Sequence, residues 1–310
     1  MASPAGRGEL IPEILKTIAF FDLFDYPLTA FEVWQYLGVK ADLLEVQTLL
    51  ESAPGQLGRA LENYAGFYFA GGRSGLYEKR QLTNRRIVAA NHKARRIFSV
   101  LRFLPGVKLL AVCNNFYYTP ASDIDVFVVT QTGRLYLTRF WLTVITQLLG
   151  ARRHGKKISG RLCLSFYVSA EAADLRPLTL PDDPYFYYWL AFLNPIYSQN
   201  YFKEFWQANS WLLDILPNLV KTEALGKERL NPPVGILSEL LKRLFDSRLG
   251  DSGERFWRFW QKRKMAQARR EPAPLGGVVI NDTVLKFHEN DRRQIFAGNL
   301  QERWKSLLSL

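Results

Sequence analysis

Two carboxylates stand one residue apart in "TPASDIDVFVV", residues 119–129, where Asp123 and Asp125 open an otherwise apolar run. In a strand, residues i and i+2 project to the same side, roughly 6–7 Å apart along the chain. Like charges so placed repel each other unless a cation or a basic group sits between them. A divalent metal is one such cation, and a metal on two strand-borne acids can carry phosphates.

Other chemistries find less support. The two cysteines, Cys113 and Cys163, each lie in an apolar run, which predicts buried strand thiols rather than a disulfide framework or a zinc site. No nucleophile elbow, P-loop or dinucleotide fingerprint occurs in the sequence. His92, His154 and His288 are scattered one per region and read as solvated or structural. The formal charge of +12 favours anionic partners: nucleotides, nucleic acid or an acidic lipid surface.

The elements around the acidic pair follow from periodicity and capping. Residues 1–9 read as a flexible tail, and residues 10–80 as a winged helix of three helices and a hairpin. Thr29 with Glu32, and Asp42 with Glu45, cap the second and third helices. "GFYFAGGRSGLYEKR" predicts a hairpin turning at Gly71-Gly72. The third helix offers Asp42, Glu45 and Glu51 where a DNA reader needs basic groups, so packing or protein contact is the expected role of this module.

Residues 81–180 alternate helix, strand, loop, strand, helix, strand, which predicts an α/β mixed sheet with flanking helices. "TNRRIVAANHKARRIFSVLRFL" is its first, basic helix, and "RLCLSFYVS" its last strand. Residues 181–310 read as a helical region. Its aromatic run "PYFYYWLAF" is expected in the core, while "RFWRFWQKRKMAQARR" is expected to present a basic face with Trp257 and Trp260, open to nucleic acid or an acidic substrate. The N-terminus lacks the pattern of a signal peptide, and the longest apolar stretch is too short to span a bilayer, so no transmembrane segment and a cytoplasmic location are expected.

Strand, loop and "SDIDVFVV" together resemble the nucleotidyltransferase fold of DNA polymerase beta and the minimal bacterial nucleotidyltransferases. The wider chain, through "FFDLFDYPLT", "GFYFAGGR", "GRLYLTRFWLTV", "QANSWLLDILPN" and "LKFHENDR", resembles uncharacterised bacterial winged-helix proteins that carry such a domain. The resemblance implies that Asp123 and Asp125 ligate Mg2+, as one ion or two, for an NTP substrate, with Ser122 beside the phosphates. On charge and proximity, Arg134, Arg139, Lys156 and Lys157 are the expected phosphate contacts.

The chain departs from the family pattern twice. Asn114-Asn115 stands where a Gly-Ser pair is expected, and an amide there can replace the serine hydroxyl as a phosphate donor. The last strand centres on Ser165 where a third acid is usual, leaving Glu171 beyond the strand as a substitute. Two functions therefore stand as expectations. One is magnesium-dependent transfer of a nucleotidyl group to an unknown acceptor, whether protein, RNA or small molecule. The other is a degenerate fold that binds nucleic acid or a protein as a regulatory module.

Overall fold

The computed structural model describes residues 6–53, 55–73, 75–114, 116–220, 229–268, 277–288 and 290–310. Its N-terminal part comprises α1 (Arg7–Asp22), β1 (Leu28–Thr29), α2 (Ala30–Gln35), α3 (Leu43–Ser52), α4 (Gln56–Ala60), β2 (Leu61–Tyr64) and β3 (Phe67–Ala70). These form a winged-helix arrangement with a three-stranded sheet ordered β1-β3-β2. Thr29 and Glu32 make the reciprocal capping box, and Asp42 accepts from the amides of Leu44 and Glu45. The helix α1 begins at Arg7, inside the expected tail.

The hairpin turns at Ala65-Gly66 and not at Gly71-Gly72. Both turn residues take positive φ, 52° and 79°, as a two-residue turn between twisted strands requires. The segment expected as the second strand instead opens α5 (Leu76–Leu101), whose Ala90, Ala94, Phe98 and Leu101 are buried.

The rest of the chain runs β4 (Val107–Val112), β5 (Ile124–Thr130), α6 (Leu135–Leu148), β6 (Leu162–Ser169), α7 (Pro184–Ala191), β7 (Asn194–Ser198), α8 (Phe202–Ala208) and α9 (Leu212–Ile215). It continues through α10 (Ile236–Asp246), α11 (Arg248–Ala268), β8 (Val278–Ile280), β9 (Val284–Phe287) and α12 (Arg293–Leu308). The fold is α/β, built on a six-stranded mixed sheet ordered β7-β4-β5-β6-β9-β8. Among the described strands only β5 and β6 are parallel, joined by the crossover helix α6.

Residues 181–310, expected as helical, thus contribute three strands to the sheet. Pro195 lies in β7 at the sheet edge, where a residue without an N–H is tolerated.

Strand β5 alternates cleanly. Ile124, Val126 and Val128 face α5 and α6, while Phe127 and Val129 face the winged helix and α7. The second face is one continuous core. Phe20, Phe21 and Phe24 of the α1 region meet Phe116, Tyr185, Tyr188 and Phe192 ring to ring. The expected core role of "PYFYYWLAF" holds, since Phe186, Tyr188, Trp189 and Leu190 are buried.

The crossover helix has no cap of its own. Glu254, buried on α11, accepts from the amides of Tyr136 and Leu137 at 3.1 and 2.8 Å, putting a carboxylate on the positive helix end. Glu254→Ala leaves two buried donors unmet and is expected to lower stability by about 2–3 kcal/mol in urea unfolding.

Candidate functional site

Asp125 lies on β5 and Asp123 two residues earlier, just before the strand begins. The hydrogen-bonding register sets Asp125 beside Cys163 and Phe127 beside Phe166. One more residue separates the partners on β6 than on β5, a bulge at Leu164-Ser165. The bulge reverses the alternation, so Cys163 and Phe166 both lie on the side of Asp125. A carboxylate oxygen of Asp123, one of Asp125 and the Cys163 sulfur then lie within 4.8 Å of one another.

The loop between β4 and β5 completes this corner. Phe116 is 1% exposed, set into the aromatic core beneath the winged helix, and it anchors the loop. Next to it Asn114 takes φ 57°, a left-handed conformation that asparagine accepts better than most residues. Its Nδ2 donates to Asp125 Oδ2 at 2.7 Å, and its Oδ1 accepts from the Tyr185 hydroxyl at 3.1 Å. Asn115 lies outside the described residues.

Burial, and then the charge of Asp123, push the Asp125 carboxyl up to about 6, against the bond from Asn114. Burial and the charge of Asp125 likewise push the Cys163 thiol up to about 12. These are the costs of placing negative charge where the protein supplies little to offset it. Among the described residues the basic group on the pair is Arg153, whose Nη1 reaches Asp123 Oδ2 at 2.6 Å from a side chain that is 45% exposed.

A cavity of about 400 Å³ opens over Asp125. One wall is Asn114, Tyr185 and Trp189; the other is Lys286 and Phe287 at the end of β9 with His288, Asp291, Arg292 and Arg293 beyond it. Register places Lys286 opposite Phe166, on the face of the acidic pair. Behind the cavity is a buried charge network. Lys286 bonds Asp291 at 3.1 Å, Arg293 bonds Asp291 at 2.9 Å, and Arg293 also reaches Asp183 at 2.6 Å. Asp183 caps α7 through the amide of Phe186, so the network ties α7, β9 and α12 together. Arg292, exposed and without an ion pair among the described residues, stands at the mouth.

His288 also lines the cavity, with Nε2 3.2 Å from Ser165 Oγ. Burial and then Lys286 hold its pKa down at about 4, so it is neutral over the physiological range. Of the two expected roles for this histidine, solvated or structural, the burial and the bond to Ser165 fit the structural one.

Two expected phosphate contacts are structural. Arg134 is buried at the base of α6, where it donates to the Phe245 carbonyl and to Asp251, fastening α10 and α11. Arg139 is held by Gln261 and lies over the Phe287 ring at 4.9 Å, between α6 and α11. Both are turned to the helices on the far side of the sheet because α6 crosses there.

Ser122 bonds the Thr119 amide and hydroxyl, shaping the loop before Asp123. Lys156 and Lys157 are exposed on a basic loop sewn to that same segment through Gly160 to Ser122 and Arg161 to Ile124. Glu171 follows the far end of β6, eight positions beyond Cys163, and bonds Ser169 instead.

Sequence reasoning missed Arg153, Cys163, Lys286, His288, Arg292 and Arg293. For the last four a signal existed: "LKFHENDRR" packs six charged or titratable residues at and just beyond the end of an apolar strand. Comparison of the chain with protein-family models, with curated proteins and with solved structures finds no match.

Proposed function

We propose that this protein is a metal-dependent nucleotidyltransferase whose Asp123 and Asp125 hold a divalent cation and whose cavity receives the phosphates of an NTP. The observation that carries the reading is the Asp125 carboxylate, crowded by Asp123, on the floor of a cavity edged by Arg153, Arg292 and Lys286. Hard carboxylate oxygens suit magnesium or manganese, and the negative charge that Arg153 offsets only in part is what such an ion relieves.

When bound, the ion would neutralise the triphosphate and help ionise the attacking hydroxyl. The residues of the chain do the rest. Asn114 fixes the rotamer of Asp125. Arg153 is free to swing from Asp123 to a phosphate, because its side chain is nearly half exposed. Arg292 supplies a second cation at the mouth, and the 400 Å³ volume suits a ligand of nucleotide size. Transfer to a cytoplasmic acceptor completes the reading; the basic loop at 152–157 would meet an anionic one.

Incubation with α-labelled NTPs, magnesium and a cell extract as acceptor pool tests this. Label is expected to pass to an acceptor with wild type and to fall to background with Asp123→Ala and Asp125→Ala. Equal labelling by the variants would remove the enzymatic reading.

Two observations favour a second reading, a fold that binds without turning over. Arg153 already occupies one oxygen of Asp123, and no acid stands at Ser165. On that reading Arg153→Ala leaves ligand binding indifferent to magnesium. On the first, the same substitution tightens metal binding several-fold in the absence of nucleotide, because a competing cation has gone. Titration calorimetry with MnCl2 distinguishes the two.

A further inference from the structure

The most anomalous surface of the molecule lies away from the cavity, on α10 and α11. Val234, Ile236, Leu237, Leu240 and Leu244 are between 49% and 92% exposed. At 100° per residue the four within α10 fall in an arc of about 100°, a single apolar stripe. The helix buries Phe245 on its other side and nothing else fully. On α11 Leu249, Phe256, Phe259 and Trp260 are 51–71% exposed, again at helical spacing. The inner side of α11 is fastened by Trp257, stacked on Phe140 at 3.5 Å, and by Glu254 under α6. So the two helices are anchored to the protein by one side and leave the apolar side bare.

The charge around these stripes is mainly positive, with Glu239 an exposed acid among the cations. Residues 234–268 hold eight basic and four acidic residues. Three of the acids are already engaged: Asp246 by Gln131, Asp251 by Arg134 and Glu254 by backbone amides. Lys242, Arg243, Arg248, Arg255, Arg263 and Lys264 are exposed and have no ion pair among the described residues. Phe259 lies among Arg255, Lys262 and Arg263.

We propose that α10 and α11 dock the protein peripherally on an anionic phospholipid surface. Apolar side chains enter the headgroup boundary, and the flanking Lys and Arg extend to lipid phosphates. Charge complementarity selects this occupant. A second copy would set cationic rims against each other. A nucleic acid would satisfy the cations but not the aliphatic stripe of Val, Ile and Leu, which has no π-face for a base. No helix among the described residues is long and apolar enough to cross a membrane.

The test is co-sedimentation of the full chain with phosphatidylcholine vesicles, with and without phosphatidylglycerol. The pelleted fraction is expected to follow the anionic lipid, with affinity at least about tenfold higher than for neutral vesicles and weakened by salt. Leu237→Glu with Leu240→Glu should abolish pelleting while leaving circular dichroism and melting unchanged, because both side chains are mostly exposed. Phe259→Ser with Trp260→Ser should weaken it independently. Absence of wild-type pelleting, or undiminished pelleting of the Glu variant, would overturn the proposal. A wild-type dimer that the Glu pair turns to monomer, with no vesicle binding, would give the face to a second copy.

Discussion

Asp125→Asn is expected to make the metal-free protein more stable by about 3 kcal/mol near neutral pH and to abolish its stabilisation by magnesium or manganese. The carboxyl titrates at about 6 in the fold against an ordinary value of 3.8. A group raised in this way contributes stability that is complete below 3.8 and lost as the pH climbs through 6. At about 1.4 kcal/mol per pH unit, the gap comes to about 3 kcal/mol against the folded state at neutral pH. Asparagine keeps the shape and an oxygen for Asn114 to donate to, but carries no charge to desolvate.

The difference between variant and wild type should therefore vanish below about pH 4. His288 acts with the opposite sign, since a pKa held near 4 removes stability as the pH falls below 6.5. In wild type the two effects offset each other between pH 4 and 6; in Asp125→Asn the loss due to His288 stands uncovered. Denaturant melts in EDTA across this range, repeated with MnCl2, read both halves. At a hundredfold excess over its dissociation constant the metal should add about 2.7 kcal/mol to wild type and nothing to the variant. A variant less stable than wild type in EDTA would mean that Asp125 is a structural group and not one kept for a ligand.

Asp183→Ala is expected to cost about 3–5 kcal/mol and to remove nucleotide binding with it. Asp183 and Arg293 are 1% and 4% exposed, and their contact measures 2.6 Å. Breaking a buried pair from one side leaves the other charge with less compensation, and that penalty exceeds what the pair contributes net. The same carboxylate accepts from the amides of Leu180 and Phe186, so the α7 cap fails as well. Arg293 and the cavity-lining residues bonded to it then lose their ion-pair tie to α7. Urea unfolding measures the first effect, and fluorescent-nucleotide titration at a denaturant-free, fully folded temperature measures the second. Retained affinity in a destabilised variant would show that the wall positions nothing.

What the chain declares locally, it declares well. The caps at Thr29 and Asp42 and the apolar stripe of α5 all sit within one or two turns of the residues they organise. The start of β5 at the acidic pair is equally local, because such features depend on backbone geometry over a few residues. The turn at Ala65-Gly66 escaped because Ala65 is an unfavourable left-handed residue that the paired strands impose.

The site itself was half legible. Asp123, Asp125 and Asn114 are close in sequence, and they are together in space. Arg134 and Arg139 are just as close in sequence, yet α6 carries them to the opposite face of the sheet, where they bind α10 and α11. The second wall, Lys286, His288 and Arg292, joins the pair only because β9 adds to β6 across about 120 residues of intervening chain. Sequence spacing thus determined which residues carry charge at the strand start. Which cations face them was settled by strand order and by the one-residue bulge in β6, both products of long-range pairing that no local pattern encodes.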